Sequence, residues 1–98
     1  MKTKKQLEKL LGENRTTLRT AFYVKEVGLF GSFVKGFQHQ HSDVDLLVEF
    51  QKGHKDFFNY MRLKHYLEEL LGRRVDLVMK RAIKPRLREQ ILRGTEYV

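Results

Sequence analysis

Apolar positions along the chain change period several times, and each change predicts an element. Leu7, Leu10, Leu11, Leu18 and Phe22 recur at near-helical spacing, which predicts a helix from about Lys4 to Phe22 with Gly12 weakening its middle. Val27-Gly28-Leu29-Phe30-Gly31-Ser32 reads as a short apolar strand breaking into a turn, and a brief helix is expected after it. The next strand, Asp43 to Phe50, has period two: Val44, Leu46, Val48 and Phe50 share an apolar face, while Asp43 and Asp45 project together from the other. Helical spacing returns with Tyr60, Leu63, Leu67, Leu70 and Leu71, closed by Gly72 as the residue after the cap. Val75, Leu77 and Met79 alternate with Arg74, Asp76 and Val78 in a third strand. A last helix is expected from about Lys84 to Arg93, with Pro85 at its start and Leu87, Ile91 and Leu92 facing inward. The order α-β-α-β-α-β-α predicts an α/β (α+β) fold, a small mixed β-sheet covered by helices. Phe57 and Phe58 read as core or partner-interface aromatics rather than as a base-stacking platform.

Composition narrows the class. With 98 residues and 41% hydrophobic content there is room for one core, so residues 1–98 are expected to form a single domain. The chain has no Cys, which suits a reducing cytoplasm and excludes a disulfide framework. Met1-Lys-Thr-Lys-Lys is basic, but Glu8 and Lys9 stand where a signal peptide needs an apolar run, and no segment approaches membrane-spanning length. The formal charge is +8, and between Arg73 and Arg93 eight Lys or Arg face only Asp76 and Glu89. Such a tract can steer a triphosphate, an acidic partner protein or RNA, or can simply be a solvated face. Charge alone does not choose among them, and without interleaved aromatics nucleic acid is not favoured.

The chemistry lies in one constellation: Gly31-Ser32, ten residues, then Asp43-Val44-Asp45. Gly31 can take a positive φ and lets a phosphate approach the backbone, and Ser32 offers an N–H and a hydroxyl at an expected helix start, where anions are favoured. Two carboxylates spaced as Asp43 and Asp45 are repel by about 1 to 4 kcal/mol at ~4 Å, which a divalent ion relieves. One or two carboxylates plus substrate phosphates is the ligand set that Mg2+ prefers. The phase of the third strand places Asp76 on the same face if that strand lies beside the second, where it can complete a metal site or accept a proton. Asp76 also stands next to Arg73 and Arg74, so an ion pair is its plain structural alternative. His39 and His41 flank the acidic pair but lack Cys neighbours and helical i, i+4 pairing, and read as solvated loop residues; His54 in a turn and His65 on a helix read as bystanders.

Gly-Leu-Phe-Gly-Ser-Phe-Val-Lys-Gly, Ser-Asp-Val-Asp-Leu-Leu-Val and Val-Asp-Leu-Val together resemble the minimal nucleotidyltransferases, the smallest members of the DNA polymerase β-like nucleotidyltransferase superfamily. The resemblance extends over nearly the whole chain, through the middle helix ending Leu-Gly-Arg-Arg and the tail Lys84-Pro85 onward. It implies a nucleotidyltransferase fold in which Gly31 and Ser32 bind ATP phosphates, Asp43 and Asp45 hold Mg2+, and Asp76 is the third acidic residue. Lys35 stands where the family commonly has Arg, keeping a charge for phosphate but losing the bidentate fork. The resemblance further implies transfer of AMP from ATP to an acceptor hydroxyl, with a HEPN-domain toxin as partner and a tyrosine of that toxin as acceptor, an antitoxin role. Rival readings are a nucleotidyltransferase acting on a small molecule such as an antibiotic, and a non-catalytic module that masks a toxin.

Overall fold

The computed structural model describes residues 3–31, 43–54 and 56–98. Thr3 starts the first helix with a capping box: its hydroxyl accepts from Gln6 N–H, and the Gln6 side chain accepts from Thr3 N–H at 2.8 Å. The expected single helix from Lys4 to Phe22 is in fact two, α1 (Lys4–Glu13) and α2 (Arg15–Ala21). The break falls at Asn14 and not at Gly12. The Asn14 amide donates to the Leu10 carbonyl at 2.8 Å and its oxygen accepts from the Tyr66 hydroxyl at 3.1 Å, so a side chain takes over contacts that would otherwise extend the helix.

After α2 come β1 (Val24–Phe30), β2 (Val44–Phe50), α3 (Phe57–Leu71), β3 (Val75–Met79), a single 3-10 turn (Lys80–Ala82), α4 (Pro85–Arg93) and β4 (Glu96–Tyr97). The brief helix expected between the first two strands lies outside the described residues. The four strands form one mixed sheet in the order β3-β2-β1-β4. β1 runs antiparallel to both β2 and β4, whereas β2 and β3 are parallel, with α3 as their crossover. β4 is an addition to the three strands expected. It seats on Gly28, where a Cβ would come within 2.4 Å of Thr95 Cγ2 and 3.2 Å of Tyr97 Cδ1.

α1, α2 and α3 cover one face of the sheet. Leu7, Leu11, Leu18, Leu63, Leu67 and Leu71 meet Val44, Leu46, Val48 and Phe50 of β2 in a single apolar cluster. The stripe on α3 is Asn59, Leu63, Leu67 and Leu71, four residues apart. Its one polar member is satisfied, because the Asn59 amide donates to the carbonyls of Phe22 at 2.8 Å and His54 at 2.9 Å. Asp56 caps the start of α3, accepting from Asn59 N–H at 2.9 Å, and Gly72 ends it in the left-handed conformation at φ 68°. α4 begins at Pro85 as expected but does not bury its apolar residues. Leu87 is 41% exposed, Ile91 and Leu92 are half-buried, and Ile83 just before the helix takes the buried position instead.

Candidate active site

The sheet topology assembles the site. Because β1 and β2 are antiparallel, the end of β1 meets the start of β2, and Phe30 is the register partner of Asp45. Because β3 is parallel to β2 in the matching register, Asp76 is also the partner of Asp45. Residues paired in this way point to the same face, about 4.8 Å apart across the ladder. The placement expected from the alternating phases of the two strands is therefore the one found. Asp45 and Asp76 stand side by side on the face opposite the leucine core.

Gly31 turns out of β1 directly against Asp45, at φ +75°. A Cβ built on Gly31 would lie 2.0 Å from Asp45 Oδ2 and 2.8 Å from its Cγ. The missing side chain thus makes the space that the Asp45 carboxylate occupies, and turn and carboxylate are one packed unit. Gly31, expected to admit a phosphate, has Asp45 itself as its closer neighbour. Ser32 and Lys35, the other two expected phosphate contacts, lie outside the described residues, as do His39 and His41.

Asp43 precedes β2 at the exposed rim. Its neighbour is Arg74, whose carbonyl accepts from Val44 N–H at 2.9 Å and whose Nε lies 3.9 Å from Asp43 Oδ1. The alternative of Arg74 pairing with Asp76 is not what the structure has: the arginine adjoins Asp43, one register step away. This pair was missed in the sequence, although Arg74 and Asp76 share a strand phase and so must flank the acidic pair on β2. An exposed pair at that distance contributes little to stability and yields readily to a stronger partner.

The face around the carboxylates is not wholly polar. Leu47, between Asp45 and Glu49 in the phase of β2, is buried, with Gly28 and Val78 as its register partners. Behind β3, the Tyr60 hydroxyl donates to the Leu77 carbonyl at 2.6 Å. Burial pushes the Tyr60 phenol above its ordinary range and the nearby Asp76 carboxylate pushes it further, so it stays protonated as a structural donor. His54 stacks on Tyr23 at 3.7 Å between ring centroids, and His65 is exposed on α3, so neither adjoins the carboxylates.

Among the described residues no group of three His, Asp or Glu side chains is drawn together tightly enough to hold an ion. Asp43 is turned toward Arg74. The donor set nonetheless suits a hard divalent cation: carboxylate oxygens on adjacent strands and a turn shaped around one of them. A cavity of about 470 Å³ opens at the other end of the sheet, between Lys25, Phe50, Lys52, Met79 and Arg81, and takes no part in this geometry. Among the described residues no helix is long and apolar enough to cross a membrane.

Comparison with known proteins agrees with this geometry. A family model described as a nucleotidyltransferase domain matches residues 7–98. Protein adenylyltransferase MntA of Thermococcus cleftensis is 42% identical over 98 residues, spanning all of this chain and 98% of that protein. A solved structure of a candidate minimal nucleotidyltransferase superposes with a TM-score of 0.74 at 42% identity, covering 91% of this chain and 92% of the other. A crystal structure of a toxin–antitoxin with AMP-PNP superposes with a TM-score of 0.66 at 28% identity, covering 93% of this chain and 68% of that one.

Proposed function

Because this chain belongs to the nucleotidyltransferase domain family, we propose that it transfers AMP from ATP to a hydroxyl of a partner protein, a tyrosine of a HEPN toxin, as that toxin's antitoxin. The observation that carries the reading is the Asp45 carboxylate packed against Gly31, with Asp76 as its register partner on the neighbouring strand. Support for a protein acceptor comes from the relative named as a protein adenylyltransferase and from the toxin–antitoxin structure that holds an ATP analogue.

Gly31 and Ser32 would seat the triphosphate, with Lys35 stabilising phosphate charge. Asp43 and Asp45 would hold Mg2+, with Asp76 adjoining, and the bound ion would supply neutralisation of phosphate charge and an acidified acceptor hydroxyl. Asp43 would have to leave its exposed pair with Arg74 to hold the ion. Asp76 orients the acceptor hydroxyl and takes up its proton. The acceptor oxygen bonds to the α-phosphorus in line as the bond to the bridging oxygen breaks, and pyrophosphate leaves. In this reading the protein would work in the cytoplasm, where ATP is available.

The test is incubation of the purified chain with ATP labelled in the α-phosphate, Mg2+ and the HEPN toxin encoded with it. A labelled toxin band is the expected result. Label appearing only in a small molecule, or no label anywhere, refutes the proposal.

A further inference from the structure

Far from the carboxylates, the start of α3 presents two adjacent phenylalanines to solvent: Phe57 is 70% exposed and Phe58 79%, their rings in edge contact at 6.3 Å. They are not core, which leaves the partner-interface half of the sequence expectation. A helix that buries leucines at every fourth position has no structural use for two exposed aromatic rings in its first turn. An exposed aromatic pair of this kind marks a protein-binding surface.

Their surroundings are built and charged. Asn59 holds this turn of α3 against the carbonyls of Phe22 and His54. Tyr23, between those segments, is held at φ 57° and stacks flat on His54. A non-glycine residue in that backbone region costs about 1–3 kcal/mol and persists only where its surroundings hold it there. The adjoining turn, residues 51–53, forms one wall of the 470 Å³ cavity, whose lining carries Lys25, Lys52, Lys80 and Arg81 against Glu49. Lys80 pairs with Glu26 at 3.3 Å, whereas Lys25, Lys52 and Arg81 take part in no ion pair among the described residues.

From this juxtaposition we infer that the Phe57–Phe58 end of the molecule is a docking surface for an acidic, apolar-centred face of a partner protein, separate from the site of chemistry. The inference rests on the toxin reading above, the partner being the protein that is modified. Charge selects the occupant: at +8 the chain repels a second copy of itself, whereas a cavity rim on which Lys25, Lys52, Lys80 and Arg81 outnumber Glu49, next to the turn that leads into the aromatic pair, complements a negatively charged protein. Docking at one end of the sheet would leave the carboxylate end free to receive an acceptor side chain.

The test uses the full chain, its HEPN toxin and two double variants. Phe57→Ser with Phe58→Ser should weaken toxin binding at least 30-fold, mainly through faster dissociation, in surface plasmon resonance. Lys52→Glu with Arg81→Glu should slow association and flatten its dependence on ionic strength. Both variants should bind Mg-ATP as the wild type does in calorimetry, which separates this inference from the catalytic reading. Failure of the wild type to bind Mg-ATP would strike the catalytic reading alone. Unchanged toxin affinity in both variants overturns the docking surface, as does a wild type that binds Mg-ATP but no toxin. A wild-type dimer in light scattering that Phe57→Ser with Phe58→Ser converts to monomer would show that the face is covered by its own copy, and would overturn the acidic partner.

Discussion

Replacing Gly31 with Ala should damage both stability and nucleotide binding, and the two losses have a common origin in Asp45. Holding a residue with a Cβ at φ +75° costs about 1–2 kcal/mol relative to glycine. The new Cβ would also stand 2.0 Å from Asp45 Oδ2, so the carboxylate must leave its position. Turning a side chain roughly 30° off its rotamer costs about 0.5–1.5 kcal/mol. The sum is about 1.5–3.5 kcal/mol, which for a domain of this size lowers Tm by roughly 6–28 °C. A double-mutant cycle separates the two terms. Against an Asp45→Ala background, Gly31→Ala should recover about 0.5–1.5 kcal/mol of its cost, leaving the backbone part and the tight 3.0 Å approach to the Cβ of residue 45. Denaturant melts of the four proteins give the coupling, and calorimetry with Mg-ATP should show binding lost in Gly31→Ala. If that variant melts with the wild type and binds Mg-ATP normally, the packed unit of turn and carboxylate does not exist as described.

Further expectations concern single groups. The double variant Asp43→Asn with Asp45→Asn should lose Mg2+-dependent ATP binding while its circular dichroism stays native; unchanged binding would move the site elsewhere. Asp76→Asn should keep ATP affinity and lose transfer, because a group acting on the attacking oxygen matters in the transition state more than in the ground state; full transfer by the variant would leave a two-carboxylate site. Tyr60→Phe should cost about 0.5–1.5 kcal/mol for its hydrogen bond to Leu77, read from urea melts. The folded Tyr60 phenol titrates above its unfolded value, so its contribution is fully present below pH ~10 and is lost as pH rises through the folded pKa. A wild-type ultraviolet titration in which every tyrosine ionises in the ordinary range would contradict the burial of that hydroxyl.

What could be read from the sequence was whatever depends on period. The two-residue alternation of Asp43–Phe50 and Arg74–Met79 fixed which side chains share a face, and a parallel ladder in matching register then made Asp45 and Asp76 neighbours. Gly72 and Pro85 marked helix boundaries because their backbone requirements are local. Features that depend on tertiary partners were not legible. Asn14 breaks the first helix with help from Tyr66, 52 positions away, and two residues of β4 are too short to show alternation. Leu87 follows a helical apolar pattern but has too little protein over it to be buried. Exposure of Phe57 and Phe58 was equally unreadable, since an interface aromatic and a core aromatic look alike in a string of letters.

The two edges of the sheet bear on how this protein meets other chains. An edge strand with a long free row of backbone groups invites another strand to pair with it and can seed aggregates. Here β4 is two residues long, and Lys4 reaches it from α1 through an ion pair with Glu96 at 2.9 Å. On the other edge, the Tyr60 hydroxyl occupies the Leu77 carbonyl of β3. Neither margin offers a long, flat template, so strand addition is a poor route for a second chain to join the sheet. A crowded, strongly basic protein of this kind can then be selective, since its partners must recognise side chains and not merely extend its backbone.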